Sequence, residues 1–134
     1  MTALLIAAGF AAATIAFMLL ARAARLAPAS AANARTIFKE LPAFSPGEVH
    51  SHLGCAISYD PVRNCLAIWD KAGGPRLVDP SGVSAWNAGA ALGLFSKANA
   101  RKPFFSVAVI SPAERAAWRD RMQAVFGGEK ETKA

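Results

Sequence analysis

A chain of 134 residues has room for one folded domain and excludes a second sizeable core. The hydrophobic share of 54% is concentrated at one end, and the remainder has ordinary soluble composition. A formal net charge of +6 points toward anionic surroundings without requiring nucleic acid, because a local explanation exists beside the apolar end.

From Thr2 to Ala21 the stretch TALLIAAGFAAATIAFMLLA carries no charge and no proline. A helix of that length, rising about 1.5 Å per residue, covers roughly the 30 Å hydrocarbon core of a bilayer. It also leaves no backbone polar group facing lipid. Residues 1–21 are therefore predicted to form a transmembrane anchor. A cleaved signal peptide is the competing reading, since LAPASAANA contains small-residue cleavage patterns. Against it, the first basic residue, Arg22, follows the apolar run instead of preceding it.

Arg22, Arg25, Arg35 and Lys39 make up a membrane-proximal basic group. Lys and Arg mark the cytoplasmic end of a span. The expectation is a single-pass protein of the bacterial inner membrane, with its amino terminus outside and its carboxy-terminal domain in the cytoplasm. Attraction of about 1 kcal/mol per basic group to an anionic leaflet accounts for the charge without a nucleic-acid partner. Ala8, Gly9, Ala12 and Ala13 would let a second span approach closely, which leaves a homo-oligomer open.

Residues 22–35 read as a juxtamembrane linker, small and basic, with Pro28 interrupting any helix. NARTIFKELPAF reads as a short helix or an entry strand: Ile37, Phe38 and Leu41 fall near one helical face and Pro42 ends it, as in an amphipathic connector lying on the domain. The domain itself is expected over 36–127. After SPGE the period becomes two: Cys55, Ile57 and Tyr59 alternate with Ala56 and Ser58, and Leu66 and Ile68 alternate with Ala67 and Trp69. Asp60, Pro61 and Asn64 between them predict a hairpin in which Asp60 pairs with Cys65.

DKAGGPR and DPSG punctuate two further short strands, making a meander. The region 88–103 holds a further strand around Leu92–Ser96, and PFFSVAVIS reads as the last strand. SPAE then opens a helix: Ser111 as cap, Pro112 at the first position, Glu114 completing a capping box. Trp118, Met122, Val125 and Phe126 form its apolar stripe, and Gly127-Gly128 end it. The charged tail, 128–134, is predicted to be disordered.

The segments AISYDPVRNCLAIWD, PRLVDPSGVSAWN and PFFSVAVISPAERAAWRDRM, over roughly residues 53–126, resemble small bacterial membrane-anchored domains of pleckstrin-homology-like type and uncharacterised function. The resemblance is one of pattern and not of signature motif. It implies an α+β fold: one transmembrane helix, then a curved, mostly antiparallel sheet closed at one end by an amphipathic helix with Trp118 and Met122 buried. It also implies binding of proteins, peptides or lipid head groups in preference to catalysis.

Chemical candidates are few. His50 and His52 share one face of a strand and have chelating spacing, whereas Cys55, an odd number of residues away, projects from the other face. With no further ligand nearby, no metal is assigned, and His50 and His52 stand as its only candidates. The predicted hairpin register puts Cys55 and Cys65 on opposite faces, too far apart for the Cα separation of about 4.4 to 6.8 Å that a disulfide needs. Neither cysteine has a nucleophile's signature around it. Gly73-Gly74 lacks the Lys and Ser or Thr of a phosphate loop, and GAALG reads as a flexible connector. Lys97, Arg101 and Lys102 form a solvated basic loop, with Phe104 and Phe105 assigned to the core.

No catalytic residue and no cofactor are expected. The expected function is a non-catalytic membrane-tethered interaction or scaffold module, holding a protein partner as an accessory subunit of an envelope or secretion assembly. The alternatives are a membrane-tethered metal-binding protein or enzyme using His50, His52 and Cys55, or an acidic-lipid-binding domain.

Overall fold

The computed structural model describes residues 31–132, so the anchor predicted over 1–21 and the basic residues Arg22 and Arg25 lie outside the described residues. Among the described residues, no helix is long and apolar enough to cross a membrane. The order is α1 (Ala31–Lys39), β1 (Val49–His52), β2 (Cys55–Asp60), β3 (Cys65–Asp70), β4 (Gly74–Leu77), β5 (Ala85–Ala88), β6 (Ala91–Phe95), β7 (Phe105–Ala108) and α2 (Pro112–Phe126). Short 3-10 turns at Pro80–Gly82 and Gly128–Lys130 join β4 to β5 and follow α2.

The strands form two antiparallel sheets, β1-β2-β3-β4 and β5-β6-β7. This corrects the expected fold class, a single curved sheet closed by one helix: there are two sheets and a second helix. The break falls where Asp79 caps the 3-10 turn by accepting from the Ser81 amide, which spends on a turn the backbone that would have continued the ladder. The result is a small, mostly β domain.

The β2–β3 hairpin has the register read from its residues, with Asp60 opposite Cys65, Tyr59 opposite Leu66 and Ile57 opposite Ile68. Because both faces of these strands are covered, most of their side chains are buried. One face contributes Ile57, Leu66 and Ile68 to a large core with Trp86, Leu92, Leu94, Phe105, Val107, Trp118, Met122 and Phe126. The other gives Ala56, Ala67 and Trp69 to a smaller core with Ala34, Ile37, Phe38 and Phe44. Ala56 and Ala67 are small because α1 packs against the sheet there.

Residues 31–35, expected as part of a linker, instead open α1, whose Ala34, Ile37 and Phe38 are buried. Within the tail, Gly128–Lys130 form a 3-10 turn and the Thr132 amide donates to the Trp86 carbonyl. GAALG is no loose connector: Gly93 sits within β6 opposite Asn87, and a Cβ there would lie 2.7 Å from the Asn87 Oδ1.

Candidate functional site

The β1–β2 hairpin turns through Leu53 and Gly54, both at positive φ (47° and 79°), as a two-residue primed turn demands. That turn places His52 directly opposite Cys55 and His50 opposite Ile57. Opposed residues in an antiparallel pair share a face. His50, His52 and Cys55 therefore lie on one face, and Cys55 packs against the large core. The expectation that Cys55 projects away from the histidines is corrected: counting parity along the chain fails across a turn, where pairing decides the face.

Shared facing does not make a metal centre. His50 Nε2 lies 2.7 Å from the Ala108 carbonyl, which can only accept, so this nitrogen carries the proton and donates. Nδ1 faces the Glu114 carboxylate at 3.6 Å. His50 thus links the edge of the first sheet to the end of β7 and the first turn of α2. Glu114, predicted to complete a capping box, turns its carboxylate toward His50; the Ser111 hydroxyl still accepts from the Glu114 amide. Among the described residues, no three His, Cys, Asp or Glu side chains could together hold a metal.

Both cysteines are free, and Cys65 packs against the smaller core, on the opposite side of the sheet from Cys55. Burial, followed by the Asp70 charge, pushes the Cys55 thiol up against a smaller opposing effect of Lys71. Burial and the Asp60 charge do the same at Cys65, against Arg63. Protonated thiols are poor nucleophiles.

The carboxylates serve structure. Asp60, fully buried, accepts from the amides of Ser45 (3.0 Å), Val62 (2.9 Å) and Arg63 (3.2 Å) and from Arg63 Nη1 (3.1 Å). Asp70 takes both terminal nitrogens of Arg76 and the Gly73 amide across the β3–β4 turn. Gly47 passes so close to β2 that a Cβ would meet the Tyr59 carbonyl and Pro61 at 2.8 Å, while its amide donates to that carbonyl. Of the predicted membrane-proximal basic residues, Arg35 donates to the Pro46 carbonyl at 2.9 Å, and Lys39 is exposed in the last turn of α1.

Two surfaces escaped sequence reasoning. Phe104, assigned to the core together with Phe105, is instead 41% exposed, while Phe105 is buried. It follows a loop with Lys97, Arg101 and Lys102 and no acid, whose conformation is set by Asn99 accepting from the amides of Arg101 and Lys102. The second surface is the outer edge of β5 beside α2. There the Thr132 amide donates to the Trp86 carbonyl at 2.7 Å, the Trp86 indole donates to the Gly127 carbonyl at 2.9 Å, and Glu131 pairs with Arg119. Strand alternation predicts a buried or exposed side chain, and it carries no signal for which distant segment lies along an edge.

Comparison with protein-family models, with curated proteins and with solved structures finds no match.

Proposed function

We propose that this chain is a non-catalytic, membrane-tethered interaction module that holds a protein partner at the membrane. The observation that carries this reading is that His50 Nε2 is committed to the Ala108 carbonyl, while among the described residues no three His, Cys, Asp or Glu side chains gather where they could hold a metal. A metal would have to displace the Ala108 carbonyl to use Nε2, and it would find the neighbouring thiol of Cys55 biased toward its protonated form. The resemblance to membrane-anchored pleckstrin-homology-like domains is kept as part of the proposal, supported by a run of antiparallel strands ending in α2.

Metal analysis of the full chain purified in mild detergent tests the reading. The expected result is less than a tenth of an equivalent of zinc or other transition metal, unchanged in the double variant His50→Ala/His52→Ala. Stoichiometric metal that disappears in the variant would reverse the choice in favour of the metal-binding alternative. The orientation proposed is amino terminus outside, domain in the cytoplasm, at a bacterial inner membrane. An Ala134→Cys chain in intact cells is then expected to resist a membrane-impermeant maleimide, and labelling above that of the native chain refutes the assignment.

A second reading, recognition of acidic lipid, gains a specific observation in Phe104. Three cations without an intervening acid beside an exposed aromatic ring suit the interface of an anionic bilayer. In nanodiscs holding the full chain, amide hydrogen exchange over residues 97–104 is expected to slow when anionic lipid replaces zwitterionic lipid. Equal rates in both discs discard this reading.

A further inference from the structure

Most of the arginine charge in this domain is used within the fold. Arg35 and Arg115 donate to the Pro46 and Ile110 carbonyls, and Arg63, Arg76 and Arg119 pair with Asp60, Asp70 and Glu131. Arg121 lies over the Trp118 ring, its guanidinium carbon 4.6 Å from the centroid. Among the described residues, Arg101 is the arginine whose guanidinium has no partner in the protein, and Lys97 and Lys102 beside it pair with no acid. All three are exposed. Asn99 accepts from the Arg101 and Lys102 amides, so the backbone that carries these charges is set while the charges themselves are left to solvent.

The sheet next to this loop has an outer face without charge. Along β6, Leu92 and Leu94 enter the large core, so Ala91, Gly93 and Phe95 turn outward. Phe95 is half-buried and belongs to neither core. Its ring lies beside Gly93, where a Cβ would stand 3.3 Å from it. Asn87 faces the same glycine from β5. On β7, Phe105 and Val107 enter the core, and Ser106 faces outward with the exposed Phe104 ahead of it. Two incompletely covered aromatic rings on an uncharged face thus end at three unpaired cations.

We infer that this outer face of β5-β6-β7 is the side of the domain that rests on the bilayer. The Arg101 guanidinium holds the phosphate of an anionic lipid, Lys97 and Lys102 neutralise neighbouring head groups, and Phe104 sits at the boundary between head groups and acyl chains. This rests on the second reading above, recognition of acidic lipid, and supplies its contact residues and the orientation of the domain. A plane of phosphates over apolar chains complements a face that is uncharged in the middle and cationic at one end. A second copy of the chain would bring like charge to the same face. Residues 22–30 separate α1 from the apolar run ending at Ala21, so contact with a bilayer holding that run is effectively intramolecular and need not be strong by itself.

The test places the full chain, labelled with nitrogen-15, in nanodiscs of phosphatidylcholine alone or with phosphatidylglycerol added. Both carry a trace of lipid bearing a nitroxide at head-group depth. Broadening of the Phe104 and Ser106 amide signals is expected to be at least about fivefold stronger in the anionic discs and to fall back at high salt. Arg101→Gln should lower it roughly fivefold, the loss of one basic group's attraction, and Arg101→Lys should recover only part of it. Phe104→Ser should lower it at least as much. Unchanged Trp69 and Trp86 indole resonances show that each variant is folded. Equal broadening in both discs, or broadening indifferent to Arg101 and Phe104, overturns the inference. Strong broadening at Leu53 with none at Phe104 also overturns it, in favour of the β1–β2 turn. If amide exchange over residues 97–104 still slows with anionic lipid in any of these cases, recognition of acidic lipid stands without this site; if it does not slow, both fall.

Discussion

Asp60→Ala is expected to cost about 3 kcal/mol or more, because it takes a buried acceptor from three amide donors at about 1–3 kcal/mol each. For a domain of this size that lowers the unfolding midpoint by roughly 12 °C or more. The carboxylate is fully buried and collects the Ser45, Val62 and Arg63 amides together with the Arg63 guanidinium. Removing it orphans donors that bind the segment after α1 to the β2–β3 turn. Asp60→Asn keeps the volume but presents an amide donor to donors, and about 2 kcal/mol is the expected cost. Thermal unfolding of the full chain in detergent, followed by near-ultraviolet circular dichroism, measures both.

The pH dependence separates hydrogen bonding from shape. Burial pushes the Asp60 carboxyl up, but the Ser45, Arg63 and Val62 amides and the Arg63 guanidinium outweigh it, and the folded value lies below the ordinary 3.8. A group depressed in this way contributes stability that is present above its unfolded value and is lost as pH falls through its folded value. Asp60→Asn lacks that contribution. The stability gap between the native chain and the Asn variant is therefore expected to narrow as pH drops below 3.8, with Asp70 and Asp79 behaving alike in both chains. A gap that stays constant through that range would show that Asp60 acts by shape alone.

Phe38→Ala is expected to destabilise by about 3–5 kcal/mol, the range for emptying an aromatic site in a core. Phe38 is fully buried in α1, its ring centroid 6.2 Å from that of Phe44, between the helix and the Ala56, Ala67 and Trp69 face of the sheet. Thr36→Ala, at an exposed position of the same helix, should stay within about 0.5 kcal/mol. If Phe38→Ala also stayed within that limit, α1 would be a connector lying on the domain and not one of its two cores. The distinction bears on function, because a helix built into the core couples the domain to whatever precedes residue 31, as a free linker would not.

The parts of the fold legible beforehand were those governed by short-range rules. Alternation at Ile57, Tyr59, Leu66 and Ile68, with Asp60 and Asn64 punctuating, was enough to predict both the β2–β3 hairpin and its register. The apolar stripe of α2 follows from helical spacing, and Trp118, Met122 and Phe126 are buried as that stripe requires. Phe104 was misjudged because an aromatic at the start of a β-rich run resembles its neighbour Phe105. Strand parity separates the two: Phe105 and Val107 face the core, and Phe104 falls with Ser106 on the outer face. Cys55 was misplaced because Leu53 and Gly54 turn the chain, and leucine gives no signal that it will adopt a positive φ.

The register of the β2–β3 hairpin, the opposite facing of the two cysteines and the helical end of the domain were thus determined by the sequence itself, since each depends on residues within a few positions of one another. The division into two sheets, the second core under α1, the hydrogen bond of His50 to Ala108 and the seating of Glu131–Thr132 on β5 were decided by tertiary structure. In each of these, residues far apart in the chain meet through geometry that no local period encodes: His50 reaches Ala108, and Arg119 and Trp86 between them hold the tail.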